Sequence, residues 1–317
     1  MKEIGGYIEL DTYSLPMFHE GALALNCGRN ALAYLLRARS IRKLWVPRLI
    51  CDSVTEVCQR EGVPCALYAV GYDMLPAEEI QLGEGEWLYF VNFYSRFDNE
   101  TIRRFVQRYG RVIVDNAQSY FQPPIPGVDT LYTCRKYFGV ADGAFLYTEA
   151  RSEAAFPQDE SFERMHFLLG RYERSASEFY GEYVANNDRF ASEPVKRMSK
   201  LTMNLLRGID YQLVEAVRKQ NYAHLHCFFK DKNMLELDDR PGTFMYPLLV
   251  KSGAEVRKRL QERKIYIPTL WPNVLGWCGA GEPEYEMARN ILPLPIDQRY
   301  DPKDMDVIAN ALLTCIV

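Results

Sequence analysis

Two residues of this 317-residue chain invite a chemical reading before any other. Asp115 closes an apolar run, Val112-Ile113-Val114, and Lys136 follows beyond a Pro-rich loop, with Asp142-Gly143 shortly after. The pattern predicts a carboxylate and an amine both delivered at strand ends, the edge of an open α/β sheet where ligands sit. Such a pair suits pyridoxal phosphate chemistry, in which a lysine amine forms a Schiff base and an acid keeps the pyridine nitrogen protonated, making the ring a better electron sink. Taken singly, each residue has a plainer reading: Asp115 as a cap of the next segment and Lys136 as a solvated surface lysine.

The elements that must position this pair follow from periodicity. An apolar lead-in over 22–26 precedes Gly28-Arg29-Asn30, which opens a helix carrying Ala31, Leu32, Leu35 and Leu36. A helix N-terminus presents unpaired N–H groups to an anion, and the glycine permits a tight entry. Strands are expected over 44–47, 65–70 and 86–93, with helices over 52–61 and 98–109, a βαβ rhythm with short connections. Residues 160–187 read as helical and polar with aromatic insertions. Leu206, Ile209, Leu213 and Val217 fall at helical spacing, so 203–229 is expected to be one long helix with that stripe in the core. Strands over 242–250, 265–267 and 291–296 and helices over 254–263 and 304–313 complete a compact α+β unit.

Four motifs in order, Cys27-Gly28-Arg29-Asn30-Ala31-Leu32, VDNAQS at 114–119, RKYFGVADG at 135–143 and ILPLPID near the end, resemble the DegT/DnrJ-type sugar aminotransferases among the fold-type I pyridoxal phosphate enzymes. The resemblance covers nearly the whole chain. It implies an α/β fold with a mostly parallel sheet of the seven-stranded type in a large domain, 1–200, followed by a linking helix and a small α+β domain, 201–317. It further implies Lys136 as the Schiff-base lysine and general base, Asp115 as the pyridine-nitrogen partner, Gln118 beside the ring hydroxyl, and the Gly28-Arg29-Asn30 segment around the cofactor phosphate. Arg29 stands where small or hydroxyl residues are common; it either bonds the phosphate or points to solvent. Cys51 falls where an aromatic usually stacks on the ring, so either the thiol packs there or another aromatic does. Thr133 is the hydroxyl assigned to phosphate, in a variant spacing, and Arg135 is structural or phosphate-adjacent. Tyr94 is either a substrate-side aromatic or a packing residue. Arg197 either reaches a partner subunit's phosphate or is solvated.

The activity so implied is amino transfer from an amino acid, glutamate for example, to a keto-sugar, nucleotide-linked, by a homodimer with a shared active site. A sugar dehydratase of the same family is the nearest alternative, against which Lys136 argues because those enzymes carry histidine there. A non-catalytic, regulatory protein of this fold is the other, kept open by Cys51 and Thr133. Composition sets outer bounds. A net charge of −4 argues against a nucleic-acid partner. Eight cysteines without a C-x-x-C pair, and an opening MKEIGGYIEL without a basic-then-apolar leader, point to a reducing cytoplasm. No metal is expected, since the histidines lack partners at ligand spacing, and no apolar run approaches the roughly 20 residues a bilayer span requires.

Overall fold

The computed structural model describes residues 4–316; Met1–Glu3, part of the opening read for a leader, and Val317 lie outside the described residues. β1 (Leu23–Leu25) runs into α1 (Gly28–Ala38), followed by β2 (Lys43–Pro47), α2 (Asp52–Arg60), β3 (Cys65–Tyr68), β4 (Glu86–Val91), α3 (Asn99–Tyr109), β5 (Val112–Asp115), β6 (Asp129–Thr133) and β7 (Ala144–Tyr147). Helices α4 (His166–Glu173), α5 (Tyr180–Arg189), α6 (Lys200–Leu206) and α7 (Tyr211–Phe229) come next. The chain finishes with β8 (Met245–Leu249), α8 (Gly253–Glu262), α9 (Val274–Trp277), α10 (Pro283–Asn290), β9 (Ile291–Pro295) and α11 (Pro302–Leu313).

The first seven strands form one sheet in the order β1-β7-β6-β5-β4-β2-β3. Every pairing from β3 across to β6 is parallel, and β7 runs antiparallel to both of its neighbours. This is the mostly parallel, seven-stranded α/β architecture expected from the motifs. Parallel strands covered on both faces read as continuous apolar runs, and LYFV in β4 and VIV in β5 are buried throughout. Helix α3 shows how the connections are fixed: Asp98 accepts the Thr101 N–H at 2.8 Å, and Gly110, at φ 71°, ends the helix in a conformation that favours glycine. A second, two-stranded sheet pairs β8 with β9 antiparallel, and with α7, α8 and α11 it encloses a separate apolar core.

Two expectations fail. The helix over 203–229 is two helices, broken at Arg207–Asp210, where Gly208 interrupts and Asp210 caps α7 by accepting the Leu213 N–H at 3.0 Å. Of the expected stripe, Leu206 is buried in the core and Ile209 packs against it, while the face of α7 turned inward differs from the one expected. Leu213 is 60% exposed, and the buried face is Tyr211, Val214, Arg218, Tyr222, Leu225 and Phe229. The first two of these pack in the large sheet's core and Tyr222, Leu225 and Phe229 in the second. The strand expected over 265–267 is irregular chain: among the described residues the second sheet pairs only β8 with β9, and 265–267 joins neither strand's outer edge.

The lysine loop is held by a buried acid. Asp142, fully enclosed, accepts the backbone N–H and the hydroxyl of Ser199, each at 2.7 Å, and the hydroxyl of Thr202. Gly143 beside it has φ 118°, and a Cβ there would stand 3.1 Å from both Cys134 Sγ and Thr202 Cγ2. Cys134 N–H returns to the Gly143 carbonyl at 3.1 Å, closing the loop that carries Lys136. Replacing Asp142 with alanine leaves the buried Ser199 N–H and Thr202 hydroxyl without this acceptor and leaves the Ser199 hydroxyl only Ser161 Oγ, 2.7 Å away, and the expected cost is about 2–4 kcal/mol in urea unfolding. Adding Ser199→Ala to that variant should cost less than Ser199→Ala alone; strict additivity would mean the three groups do not act as one network.

Candidate active site

Asp115 ends β5, where the register places it beside Val91 at the end of β4 and Leu131 in β6. One carboxylate oxygen accepts the Tyr89 hydroxyl at 2.9 Å and the other the Ala117 N–H at 2.7 Å. Desolvation pushes its carboxyl above the usual carboxylate range, opposed by the positive charge of Lys136 and by these two hydrogen bonds. The structure therefore brings Asp115 and Lys136 within range of each other's field. Lys136 itself is exposed, three residues past the end of β6, with Nζ 5.5 Å from the centroid of the Phe244 ring. Tyr89 escapes sequence reading because it is one of several aromatics in an apolar strand, yet its phenol is fully buried against Asp115.

Gln118 is buried and its side-chain oxygen accepts the Tyr94 N–H at 2.7 Å, while its carbonyl accepts the Ser95 hydroxyl. Its amide nitrogen has no protein partner among the described residues. Tyr94 and Ser95 both take left-handed backbone conformations, φ 55° and 62°, a strain on the order of 1–3 kcal/mol each that Gln118 helps to hold. The Tyr94 ring is 1% exposed, packed near Phe244 and Trp271 with centroids 6.3 and 6.4 Å away, so the packing reading of this residue describes its place in this conformation. Neither Phe244 nor Trp271 stood out in the sequence, since each lies far along the chain from the lysine motif.

At the other end of the site, the first intrahelical bond of α1 runs from the Ala31 N–H to the Cys27 carbonyl at 3.0 Å. The N–H groups of Gly28 and Arg29 have no acceptor among the described residues, that of Asn30 faces the Cys27 sulfur, and the space where Gly28 would carry a Cβ is open. Arg29 buries Nε without an acceptor. Asn30 is occupied otherwise: its amide donates to Asn26 at 3.0 Å and to the Pro194 carbonyl at 2.8 Å, and its oxygen accepts from Arg60 at 2.9 Å. Only its main chain is left for a ligand. Thr133 ends β6 opposite Ala144, half-buried, its hydroxyl without a protein partner among the described residues. Cys51 is the residue before α2, where its side chain makes no capping bond, and its thiol donates to Asp52 at 3.3 Å. Arg197 is exposed and bridges Leu25 and Gln158 through its backbone; its guanidinium makes no ion pair with the described residues.

If Lys136 holds the Asp115 carboxyl down by its charge, removing the amine should raise that pKa further. In cofactor-free protein, carbon NMR of the labelled carboxyl should find Asp115 titrating higher in Lys136→Ala than in wild type. A raised carboxyl binds its proton more tightly folded than unfolded, so stability is lost as pH rises through the raised value, and the loss should extend to higher pH in the variant. An unchanged Asp115 titration would separate the two residues.

No protein-family model and no curated protein sequence matches the chain. Solved structures do. A DegT DnrJ EryC1 StrS aminotransferase from Brucella abortus superposes with a TM-score of 0.63 at 15% identity, over 94% of this chain and 89% of that one. PseC of Helicobacter pylori, an aminotransferase involved in the biosynthesis of pseudoaminic acid, gives 0.66 at 13% identity, over 94% and 90%. NtdA of Bacillus subtilis, with its bound cofactor PMP, gives 0.64 at 14% identity, over 93% and 73%. At this level of identity the likeness is one of fold, and the chain has the fold of the sugar aminotransferases.

Proposed function

We propose that this protein is a pyridoxal phosphate-dependent aminotransferase that moves an amino group from an amino acid, glutamate in the simplest case, to a keto-sugar carried on a nucleotide. The observation that carries the reading is the meeting of Asp115 and Lys136, one residue ending a parallel strand and the other on the loop after its neighbour, in a fold shared with sugar aminotransferases. The residues present fit the cofactor. Lys136 offers an exposed amine for its attachment, Asp115 an acid for its ring nitrogen, and Gln118 a free amide donor for its ring oxygen. Gly28, Arg29, the main chain of Asn30 and the Thr133 hydroxyl offer donors for its phosphate.

When bound, the cofactor supplies an electron sink for the bond that breaks at the amino carbon. Asp115 acts by charge: an ionised carboxylate against a pyridine nitrogen keeps that nitrogen protonated, and the Tyr89 phenol and Ala117 N–H favour the ionised form. Lys136, once free of attachment, would be the base that takes up and returns the proton of the substrate's amino carbon. Cys51 offers a small apolar face where a large ring would stack more strongly, and this favours the second reading, a regulatory protein that holds the cofactor without turnover.

Dimerisation is part of the proposal. Tyr172 (92% exposed), Phe162 and Leu169 leave apolar surface uncovered around α4, and Ile4, Tyr7 and Ile8 do so on the N-terminal arm. Arg197 is exposed and makes no ion pair with the described residues, which suits a side chain that reaches a partner's site. Light scattering should give twice the chain mass.

Adding pyridoxal phosphate, reducing with borohydride and mapping peptides should place the adduct on Lys136; an adduct on another lysine sinks the assignment. Asp115→Asn should retain the adduct yet slow single-turnover amino transfer from glutamate by about 100-fold or more. A rate within a few-fold of wild type removes Asp115 from the chemistry, and a protein that takes up the cofactor but ignores every amino donor favours the regulatory reading.

A further inference from the structure

Among the described residues, six that are not glycine take a left-handed backbone: Ser40, Met74, Tyr94, Ser95, Lys264 and Trp271. Three of the six meet in one place. Tyr94 and Ser95 make the corner after β4, and Trp271, from the chain between α8 and α9, packs edge-on to Phe93 and Tyr94 with ring centroids 5.6 and 6.4 Å away. A side chain as bulky as tryptophan rarely sits at φ 60°. Strain of this kind persists only where the surroundings over-determine it, and it gathers at ligand clamps and active sites.

The surroundings that hold Trp271 are ties to the carboxyl ends of the large sheet's strands. Asn273 donates its amide to the Ile50 carbonyl at 2.8 Å, Glu282 accepts from Arg48 at 3.0 Å, and the buried Glu284 accepts the Val70 N–H at 2.8 Å. Arg48 and Ile50 follow β2, and Val70 follows β3. The Trp271 carbonyl in turn accepts the Val274 N–H at 3.0 Å. Trp271 therefore stands beside the ends of β2 and β4, between two positions already assigned to the site. On one side, its loop is bonded to the residue before Cys51, where a stacking aromatic is expected and a thiol is found. On the other is Tyr94, whose N–H is held by Gln118, three residues beyond Asp115. The indole is only half-buried, so the protein leaves part of it uncovered.

We propose that Trp271 is the aromatic that packs on the cofactor ring, in the role that Cys51 leaves unfilled. The proposal rests on the reading of Lys136 and Asp115 given above. A small residue at 51 leaves room for an indole brought in from a distant loop, where two large side chains would compete for one face. An indole offers a broad π-surface to a planar pyridine ring, which a thiol does not. The left-handed backbone at 271 is then the strain of aiming that surface across the ends of β2 and β4, and the bonds of Asn273, Glu282 and Glu284 are what sustain it.

The test is calorimetric titration of the full chain with pyridoxamine phosphate, which has the ring and the phosphate but cannot attach to Lys136. Trp271→Ala should weaken its binding by about 10-fold, the scale of one aromatic contact, and Trp271→Phe should recover most of the loss. Should the alanine variant fail to fold, Trp271→Leu, which keeps apolar bulk without a ring, decides in its place. Cys51→Tyr closes a double-substitution cycle: it should restore affinity to Trp271→Ala and add little to the wild type, because both side chains would serve one face. Affinity indifferent to Trp271→Ala, a phenylalanine that recovers nothing, or a Cys51→Tyr effect equal in both backgrounds overturns the role of Trp271. The adduct on Lys136, trapped with borohydride at saturating pyridoxal phosphate, should survive Trp271→Ala, so these outcomes leave the cofactor reading standing. A wild-type chain that binds neither form of the cofactor overturns that reading and this proposal together.

Discussion

A carboxylate held half-dry within the field of an ammonium is the constraint on which the rest of this structure turns. Neither charge is paired directly with the other. Asp115 accepts from a phenol and a backbone amide while Lys136 stays exposed beside Phe244, so attraction between them is present without a salt bridge that would have to be broken before a ligand could enter. Keeping them so requires rigid backbones on both sides. The parallel register from β4 to β6 supplies one, and the Asp142 network under the lysine loop supplies the other. The strained corner at Tyr94 and Ser95 belongs to the same frame, since Gln118, three residues beyond Asp115, is what it is bonded to.

Much of this frame was legible in the sequence because it depends on local order. The apolar run ending in Asp115, and a glycine opening α1, state their strand and helix without help from distant residues. The break between α6 and α7 was missed because hydrophobic spacing continues across it, while the deciding feature is the capping bond of Asp210. The irregular chain over 265–267 was misread for the opposite reason: its residues suit a strand, but strands need partners, and pairing is not a local property. The same holds for the site. Lys136 and Asp115 stand in motifs, whereas Tyr89, Phe244 and Trp271 come near Asp115, Lys136 and Tyr94 only through the fold, and nothing near them in the chain marks them out. Asn30 shows the reverse limit: its motif position suggests a ligand contact, and only the fold shows that its side chain is taken up by Asn26, Pro194 and Arg60, which leaves the contact to its main chain.

Helix α7 joins the two apolar cores, and midway along it sits Arg218, the largest side chain to be fully enclosed. It lies over the Tyr137 ring at 4.5 Å and donates to Gln298 at 2.9 Å, to the Thr243 carbonyl at 2.8 Å and to the Tyr137 carbonyl at 3.2 Å, so the residue after Lys136 is tied to the strand entering the second sheet. A bond to a carbonyl asks nothing of the side chain that carbonyl belongs to. Substitutions at 243, and the smaller ones at 137 that keep a ring, can therefore accumulate under this arginine without loosening the joint. An attachment written in main-chain atoms tolerates drift in the letters around it, which is one way a fold outlasts most of the sequence that first encoded it.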